Sequence, residues 1–323
     1  MKSRSSSSKI KGREAAFHFF GGRGMGDFIL EIAENGRHIC IQRGSVAVLE
    51  KKQALGIVPI DSLACVILSA DGISLSKHFL AVMAEEGIPV TICGDNYLPV
   101  SMILPYAKHY RALAVLEAQM RASPVLKKQL WQAVVAGKIR NQAQALQACR
   151  PDLPQVEKLL NMARKVRSGD SDNKEAQASR LYWPALMGQG FVRNPDSGGL
   201  NAALNYGYAI LRSACARALC AAGLLPLLGL HHRNAYNAFC LADDIMEPLR
   251  PFVDRLVFEL AHNDTGDLRL LPSHKKQLAT IQRAPLPFCG EEHTLSSVTT
   301  RMAQGLARSM TDGKLLLPLP GDG

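Results

Sequence analysis

The chain has no Cys-x-x-Cys pair, although it holds eight cysteines in 323 residues. Cys40, Cys65, Cys93, Cys149, Cys215, Cys220, Cys240 and Cys289 are scattered, most of them in apolar runs. That argues against zinc-ribbon chemistry and a disulfide frame, and predicts reduced core thiols in a cytoplasmic protein. Nor does any apolar run approach the ~18 residues of a membrane span. The longest, Leu219 to Leu230, contains Gly223, Pro226 and Gly229, so no membrane partner is expected. Lys2 and Arg4 are followed by Ser5 to Ser8 rather than an apolar segment, so no secretory signal is expected. The glycine-rich stretch 21–26 lacks a strand–loop–helix setting and a following Lys-Ser/Thr. It reads as a linker rather than a phosphate loop. Residues 1–26 as a whole read as a flexible leader.

Acidic residues are also in short supply. Lys and Arg number 38 against 28 Asp and Glu, a formal charge of +10. A basic surface points first to nucleic acid as partner. Hydrophobic residues make up 47% of the chain, enough for two domains with real cores.

From Phe28 the pattern is of short β-type runs: 28–32, 37–41, 45–49, 56–60, 63–68, 88–93 and 97–104. Asn35-Gly36 reads as a two-residue hairpin turn and Arg43-Gly44 as a second. Asp95-Asn96 reads as a third turn. Residues 74–86 read as one helix, with Ser74 as N-cap, His78 on its packed face, and Gly87 as its stop. Pro105-Tyr106 marks a hinge, and after Arg111 the spacing is helical almost throughout. The expected fold is α+β: a strand-rich domain with one helix at 27–104, a linker at 105–112, and an all-helical catalytic domain at 113–323. Residues 263–267 read as a loop, Lys275 and Lys276 as preceding a helix, and the tail beyond Leu315 as frayed.

Candidate chemistry is concentrated at 229–254. There Gly-Leu-His-His-Arg-Asn precedes a helix predicted from Ala238 to Glu247 and closed by Pro248. Asp244 and Glu247 are three apart and share a face of that helix. Imidazole nitrogen and carboxylate oxygen together suit a hard or borderline divalent cation. His231 and His232 are both candidates for the imidazole, and Asp243 and Asp244 are alternatives to Glu247. An ordinary acidic helix behind a surface His pair is the competing explanation. A second segment, 173–183, reads Asn-Lys-Glu-Ala-Gln-Ala-Ser-Arg-Leu-Tyr-Trp. It opens a helix with Asp170, Ser171 or Asp172 as cap and Glu175 in the first turn. Lys138 and Arg140 lie on a helical stretch around Trp131. Arg164 and Arg167 add charge before Glu175, and Arg233 follows the histidines. A solvated basic face explains most such lysines.

These blocks, with Lys-Ile-Arg-Asn-Gln at 138–142 and Asn-Tyr-Gly-Tyr at 205–208, resemble the CRISPR-associated endonuclease and integrase. That family is the catalytic subunit of the spacer-acquisition complex, and the wording looks most like the branch encoded beside a single-protein RNA-guided nuclease. The resemblance implies metal binding by Glu175, His232 and Glu247, with the spacing to Glu247 favouring His232 over His231. It implies support from Asn205, Arg212, Asp244 and Arg250, and DNA contacts from Lys138, Arg140, Arg164, Arg167 and Arg233. The implied cofactor is Mg²⁺ or Mn²⁺. The implied reaction joins protospacer 3′-hydroxyl ends into a CRISPR repeat by transesterification at a metal-polarised phosphate. The implied partners are double-stranded DNA, a second copy in a homodimer, a small partner protein in a 4:2 assembly, and the RNA-guided effector nuclease. Two other readings fit the residues: a metal-dependent nuclease acting on branched DNA in repair, and a non-catalytic basic DNA-binding scaffold whose acids pair with arginines.

Overall fold

The computed structural model describes residues 18–20, 28–94, 99–103, 112–263, 270–282 and 284–321. Its first part is strand-rich: β1 (His18–Phe20), β2 (Phe28–Ile32), β3 (Arg37–Gln42), β4 (Ser45–Glu50), β5 (Gln53–Pro59), β6 (Leu63–Leu68), β7 (Ile73–Leu75), α1 (Lys77–Glu85), β8 (Val90–Cys93) and β9 (Pro99–Ile103). These strands form a five-stranded sheet in the order β1-β2-β6-β8-β9 and a four-stranded sheet in the order β5-β4-β3-β7. In the larger sheet β2, β6 and β8 run parallel, and β1 and β9 are antiparallel edges. β1 falls within the expected leader and pairs with β2.

The alternation of side chains across a strand decides where this sheet sits. Leu30, Val66 and Leu68 face the core shared with the smaller sheet and α1. Ile29, Cys65 and Ile67 point the other way, into the core of the helical part. Both faces are therefore buried, which is why these strands read as continuous apolar runs.

The Asn35-Gly36 hairpin does not form, because β2 and β3 lie in different sheets. The turn instead carries the chain between them. Gly36, at φ +78°, donates its N–H to the Gly72 carbonyl at 2.7 Å, and Asn35 Oδ1 accepts from Gly72 N–H at 2.7 Å. Arg43-Gly44 does close the β3–β4 hairpin, with positive φ at both residues as a primed turn requires. The expected helix at 74–86 begins later. Residues 73–75 pair with β3, and Ser76, not Ser74, caps α1 by accepting from Phe79 N–H. His78 is exposed rather than packed; Phe79 and Met83 hold the buried face.

The second part is helical: α2 (Ala112–Arg121), α3 (Pro124–Cys149), α4 (Gln155–Arg164), α5 (Lys174–Met187), α6 (Leu200–Ala221), α7 (Cys240–Met246), α8 (Arg250–Asn263), α9 (Pro272–Leu278) and α10 (Leu295–Asp312), with a small hairpin of β10 (Leu286–Phe288) and β11 (Glu291–His293). The α+β fold is thus as expected. Ser123 and Pro124 start α3 as cap and first-turn proline. This 26-residue helix is buried on several sides and forms the spine of the unit. Lys275 and Lys276 lie inside α9 rather than ahead of it. The tail is not frayed: Leu317 and Leu319 are buried, and Gly321 N–H donates to the Pro287 carbonyl at 2.8 Å. Its Leu-Leu-Leu-Pro-Leu-Pro composition makes it an extended apolar strip that packs better than it solvates. The expected turn at Asp95-Asn96, the hinge at Pro105-Tyr106, most of the linker at 105–112 and the loop at 264–267 lie outside the described residues. Among those described, no helix is long and apolar enough to cross a membrane.

Candidate active site

Glu175 is placed by the start of α5. Asn173, at φ +52°, is the N-cap, and its Oδ1 accepts from Ala176 N–H. Asp170 reaches over it and accepts from the Lys174 and Glu175 N–H groups at 2.7 and 3.0 Å. Four orphan donors open every helix, and here an acid and an amide satisfy the first of them. Of the caps expected at 170–172, Asp170 plays that part from outside the N-cap position.

The two histidines are separated by their surroundings. Trp131, buried on α3, stacks on the His231 ring with centroids 4.4 Å apart and planes 2° apart. His232 instead meets Asp244, whose Oδ1 is 2.6 Å from Nδ1. Asp244 is fully buried and also accepts the backbone N–H groups of Leu230, His231 and His232. One carboxylate thus folds the turn and orients the ring through Nδ1, and Nε2 is the ring nitrogen that Asp244 does not use. A Cβ at Gly229 would lie 2.4 Å from the His232 carbonyl oxygen and 2.9 Å from Asp244 Oδ2, so this approach requires glycine. The hydrogen bond from Asp244 raises the His232 pKa; burial opposes it, and the charges of Asp244, Glu247 and Glu175 add to the rise.

The helix expected to end before Pro248 does so, at Met246, but the chain stays helical beyond it. After α7 a 3₁₀ turn at Glu247–Leu249 leads straight into α8. Pro248 sits in the first turn of that segment, where its missing N–H leaves no bond unmade. The turn aims Glu247 inward, at 5% exposure. Its Oε1 accepts from Arg250 Nε at 2.8 Å, and its Oε2 lies 2.5 Å from Lys138 Nζ. The same ammonium donates to Glu175 Oε1 at 2.6 Å. Lys138, with its side chain 12% exposed, is therefore not on a solvated basic face but between two carboxylates. Burial pushes the Glu247 carboxyl up; Arg250 and Lys138 outweigh it and hold it at about 2. Burial likewise works against the charge of Lys138, and Glu247 and Glu175 outweigh it in turn.

Asp243 is engaged elsewhere. Arg212 forks onto it, and Asn237 Nδ2 donates to it at 2.7 Å. With Asp244 committed to His232, Glu247 is the carboxylate of this helix that faces Glu175 across a shared cation. The structure thus brings Glu175, Glu247, Lys138 and Arg250 together, with His232 near them. Among the described residues, no three of His, Cys, Asp and Glu close into a ready-made metal cluster. The fit to a divalent ion rests on other observations. Two carboxylates already converge on one cation, and Oε2 of Glu247 is a buried oxygen without an aligned hydrogen bond. A cavity of about 630 Å³ opens on one side, lined by His232, Arg193, Arg212, Tyr208 and Arg250. A smaller one of about 140 Å³ touches Lys138, Glu247, Arg193, Tyr208 and Arg250.

Residues 30–269 match the family model described as CRISPR associated protein Cas1. The chain belongs to the Cas1 family. It is 38% identical over 283 residues to a CRISPR-associated endonuclease Cas1 of Neisseria meningitidis, covering 85% of this chain and 92% of that one. Among solved structures, a casposase bound to its integration product superposes with a TM-score of 0.74 at 19% identity, covering 90% of this chain and 92% of that one. A Cas6-RT-Cas1–Cas2 complex gives 0.71 at 19% identity, covering 91% of this chain and 36% of that longer one. At such identities the two structures show a shared fold.

The other expected Cas1 residues are spread more widely. Asn205 is fully buried and holds Arg193 rather than facing Glu175 or Glu247. Arg140 is half-buried on α3. Arg164 and Arg167 are exposed, beside Glu157 and Asp172. Arg233 lines a separate cavity with Lys127 and Asn234, which His232 also touches. Sequence reasoning had Tyr208 only as part of the 205–208 block and overlooked two further residues of this Cas1 site, Asp254 and Arg193. Tyr208 lies under Arg250, with the guanidinium carbon 4.4 Å from the ring centroid. Asp254, buried below, accepts from the hydroxyls of Tyr208 and Tyr182. Arg193 bridges both cavities. Tyr208 was within a motif already noted; Asp254 and Arg193 carried no local signal.

Proposed function

We propose that this chain is the metal-dependent nuclease and strand-transferase of a spacer-acquisition complex, acting on DNA phosphodiesters. The observation that carries the reading is the convergence of Glu175 and Glu247 on one cation, beside an Asp244-oriented His232. Glu175, Glu247 and Nε2 of His232 would hold a Mg²⁺ or Mn²⁺ ion, which supplies Lewis-acid polarisation of the scissile phosphate when bound. Around it this chain's own groups divide the work. Asp244 fixes the imidazole so that Nε2 faces the ion, and Arg250 keeps Glu247 ionised. Arg250 also brings positive charge to where the phosphorane gains negative charge. The nucleophile is a DNA 3′-hydroxyl for joining or water for nicking; no side chain need form a covalent intermediate.

Family membership supports the nuclease class, and the fold shared with an integration-product complex supports the joining reaction. The fold shared with a Cas1–Cas2 complex supports assembly with a small Cas2-like partner; the arrangement we propose is four copies, in pairs, around a dimer of it. The test is an integration assay on supercoiled plasmid carrying a CRISPR repeat, with labelled duplex ends, the small partner, and Mn²⁺ against EDTA. Joined product in Mn²⁺, absent in EDTA and lost in Glu175→Ala and His232→Ala, is the expected result. DNA binding without joining or nicking in metal would overturn the catalytic reading. Cleavage of branched DNA without any need for partner or repeat would move the substrate to repair.

A further inference from the structure

Among the described residues, charge pairing around the two cavities leaves one guanidinium apart. Lys138 is matched by Glu175 and Glu247, Arg250 by Glu247, and Arg212 by Asp243. Among the described residues, Arg193 has no carboxylate on its fork. Its Nη1 donates to Asn201 Oδ1 at 2.9 Å and its Nη2 to Asn205 Oδ1 at 2.7 Å, both neutral acceptors. These partners are themselves built in. Asn201 Nδ2 donates to the Val192 carbonyl and its Oδ1 accepts from Asn194 N–H. Asn205, fully buried on α6, donates to the Pro195 carbonyl at 2.7 Å. The strap 192–195 is thereby fastened to the first two turns of α6, and its arginine is held at two points. The Tyr208 ring lies beside the guanidinium, its centroid 5.5 Å away. Asp254 acts on the arginine's charge from a distance but is committed to the Tyr182 and Tyr208 hydroxyls.

A half-buried arginine with neutral partners is a poor device for stability. Burial disfavours its charge, Arg250 adds to that, and Tyr208 and Asp254 offset it only in part. Such a group is suited to an anion that arrives from outside, since a fixed planar fork meets two phosphate oxygens without further ordering. Arg193 is positioned for that. It lines the larger cavity together with His232 and the smaller one together with Lys138 and Glu247. We infer that Arg193, anchored by Asn201 and Asn205, is a binding site for one backbone phosphate of the DNA strand lying in the cavity beside Glu247 and His232.

This inference rests on the proposed action on DNA and names a residue that this action uses for positioning. The test is equilibrium binding of duplex DNA to the full chain over a salt series, for wild type, Arg193→Gln and Arg193→Lys. A set of duplexes each carrying one neutral methylphosphonate completes it. Arg193→Gln should bind roughly tenfold more weakly at low salt, the loss of a charge-assisted contact. Its log–log salt slope should be smaller by about one. Arg193→Lys, which keeps the charge and loses the fork, should recover the slope but not the full affinity. One methylphosphonate position should weaken wild type and have no effect on Arg193→Gln. Thermal melting of both variants checks the fold, and Arg193→Lys still reports if the glutamine variant is unstable. An unchanged salt slope in Arg193→Gln, or equal sensitivity of both proteins at every methylphosphonate, would overturn the inference. Wild type that binds DNA but never joins or nicks it would instead overturn the catalytic reading and leave the phosphate site standing. Wild type without salt-dependent binding would overturn both.

Discussion

At Lys138 one ammonium separates Glu175 from Glu247, and its removal leaves a half-buried and a buried carboxylate facing each other. Breaking a buried charge cluster from one side costs on the order of 3–5 kcal/mol. Lys138→Met should therefore lose about 3 kcal/mol in urea unfolding with EDTA present. Mn²⁺ should restore part of that, because an ion that binds only the folded state stabilises it. Equal stability of variant and wild type in EDTA would refute the pairing. A pH dependence comes from Asp254, which burial pushes up to about 7 against the hydrogen bonds from Tyr208 and Tyr182. An unfolded Asp titrates near ~3.9. Between those values the folded protein holds a proton that the unfolded chain has released, so stability falls as pH rises. Glu247 has the opposite sign. Its folded value of about 2 lies below the unfolded ~4.3, so it adds stability as pH rises through that lower window. Melting temperature against pH should show Asp254→Asn without the decline between about pH 4 and 7 that this group imposes. A wild-type slope retained in Asp254→Asn would show that another group is responsible.

At the scale of elements, the turn before α7 is the part most exposed to a small change. Gly229 lets Asp244 take three backbone N–H groups and the His232 ring together. Gly229→Ala should displace that turn, lowering metal-dependent nicking at least tenfold, while far-UV circular dichroism stays as in wild type. Activity within twofold of wild type would show that the loop accommodates a methyl group. The same scale shows what was legible in the sequence. Helix-capping letters and Gly/Pro punctuation placed the start of α5 and the His–His turn, because both are local. The exit of α7 before Pro248 was legible, but its continuation was not, because a proline that stops one helix is also tolerated in the first turn of the next segment. The hairpin at Asn35-Gly36 failed for a related reason: the turn is local, but sheet membership is decided by which faces are buried. Which histidine stacks on Trp131 and which meets Asp244 depended on a tryptophan about a hundred residues away in sequence and invisible in the spacing. Lys138 read as a solvated cation because its partners, Glu175 and Glu247, come from other helices.

Across the whole molecule, the strand-rich and helical parts are joined by more than apolar contact. Glu31 on β2 is fully buried on the face turned toward the helices. Its Oε1 takes hydrogen bonds from Lys275 Nζ on α9 and Ser69 Oγ, both at 2.6 Å, and its Oε2 one from the Tyr206 hydroxyl at 3.4 Å. Thr91 on β8 and Ser213 on α6 share a second buried hydrogen bond, at 2.7 Å. Tyr206 stands on α6 two residues from Tyr208, so the helix that carries the floor of the cavities is also the one clamped to the sheet. A buried pair of this kind fixes how two units meet more than it stabilises them, since desolvation consumes most of the attraction. That distinction can be measured. Lys275→Met alone leaves a buried carboxylate without its cation and should cost about 3–5 kcal/mol, whereas Glu31→Leu with Lys275→Met removes both charges and should cost much less than the two single changes summed. Urea unfolding of the four proteins gives the coupling energy. Additive single effects would mean that Ser69 and Tyr206 satisfy Glu31 without the lysine, and that apolar contact and the Thr91–Ser213 bond hold the parts together without it.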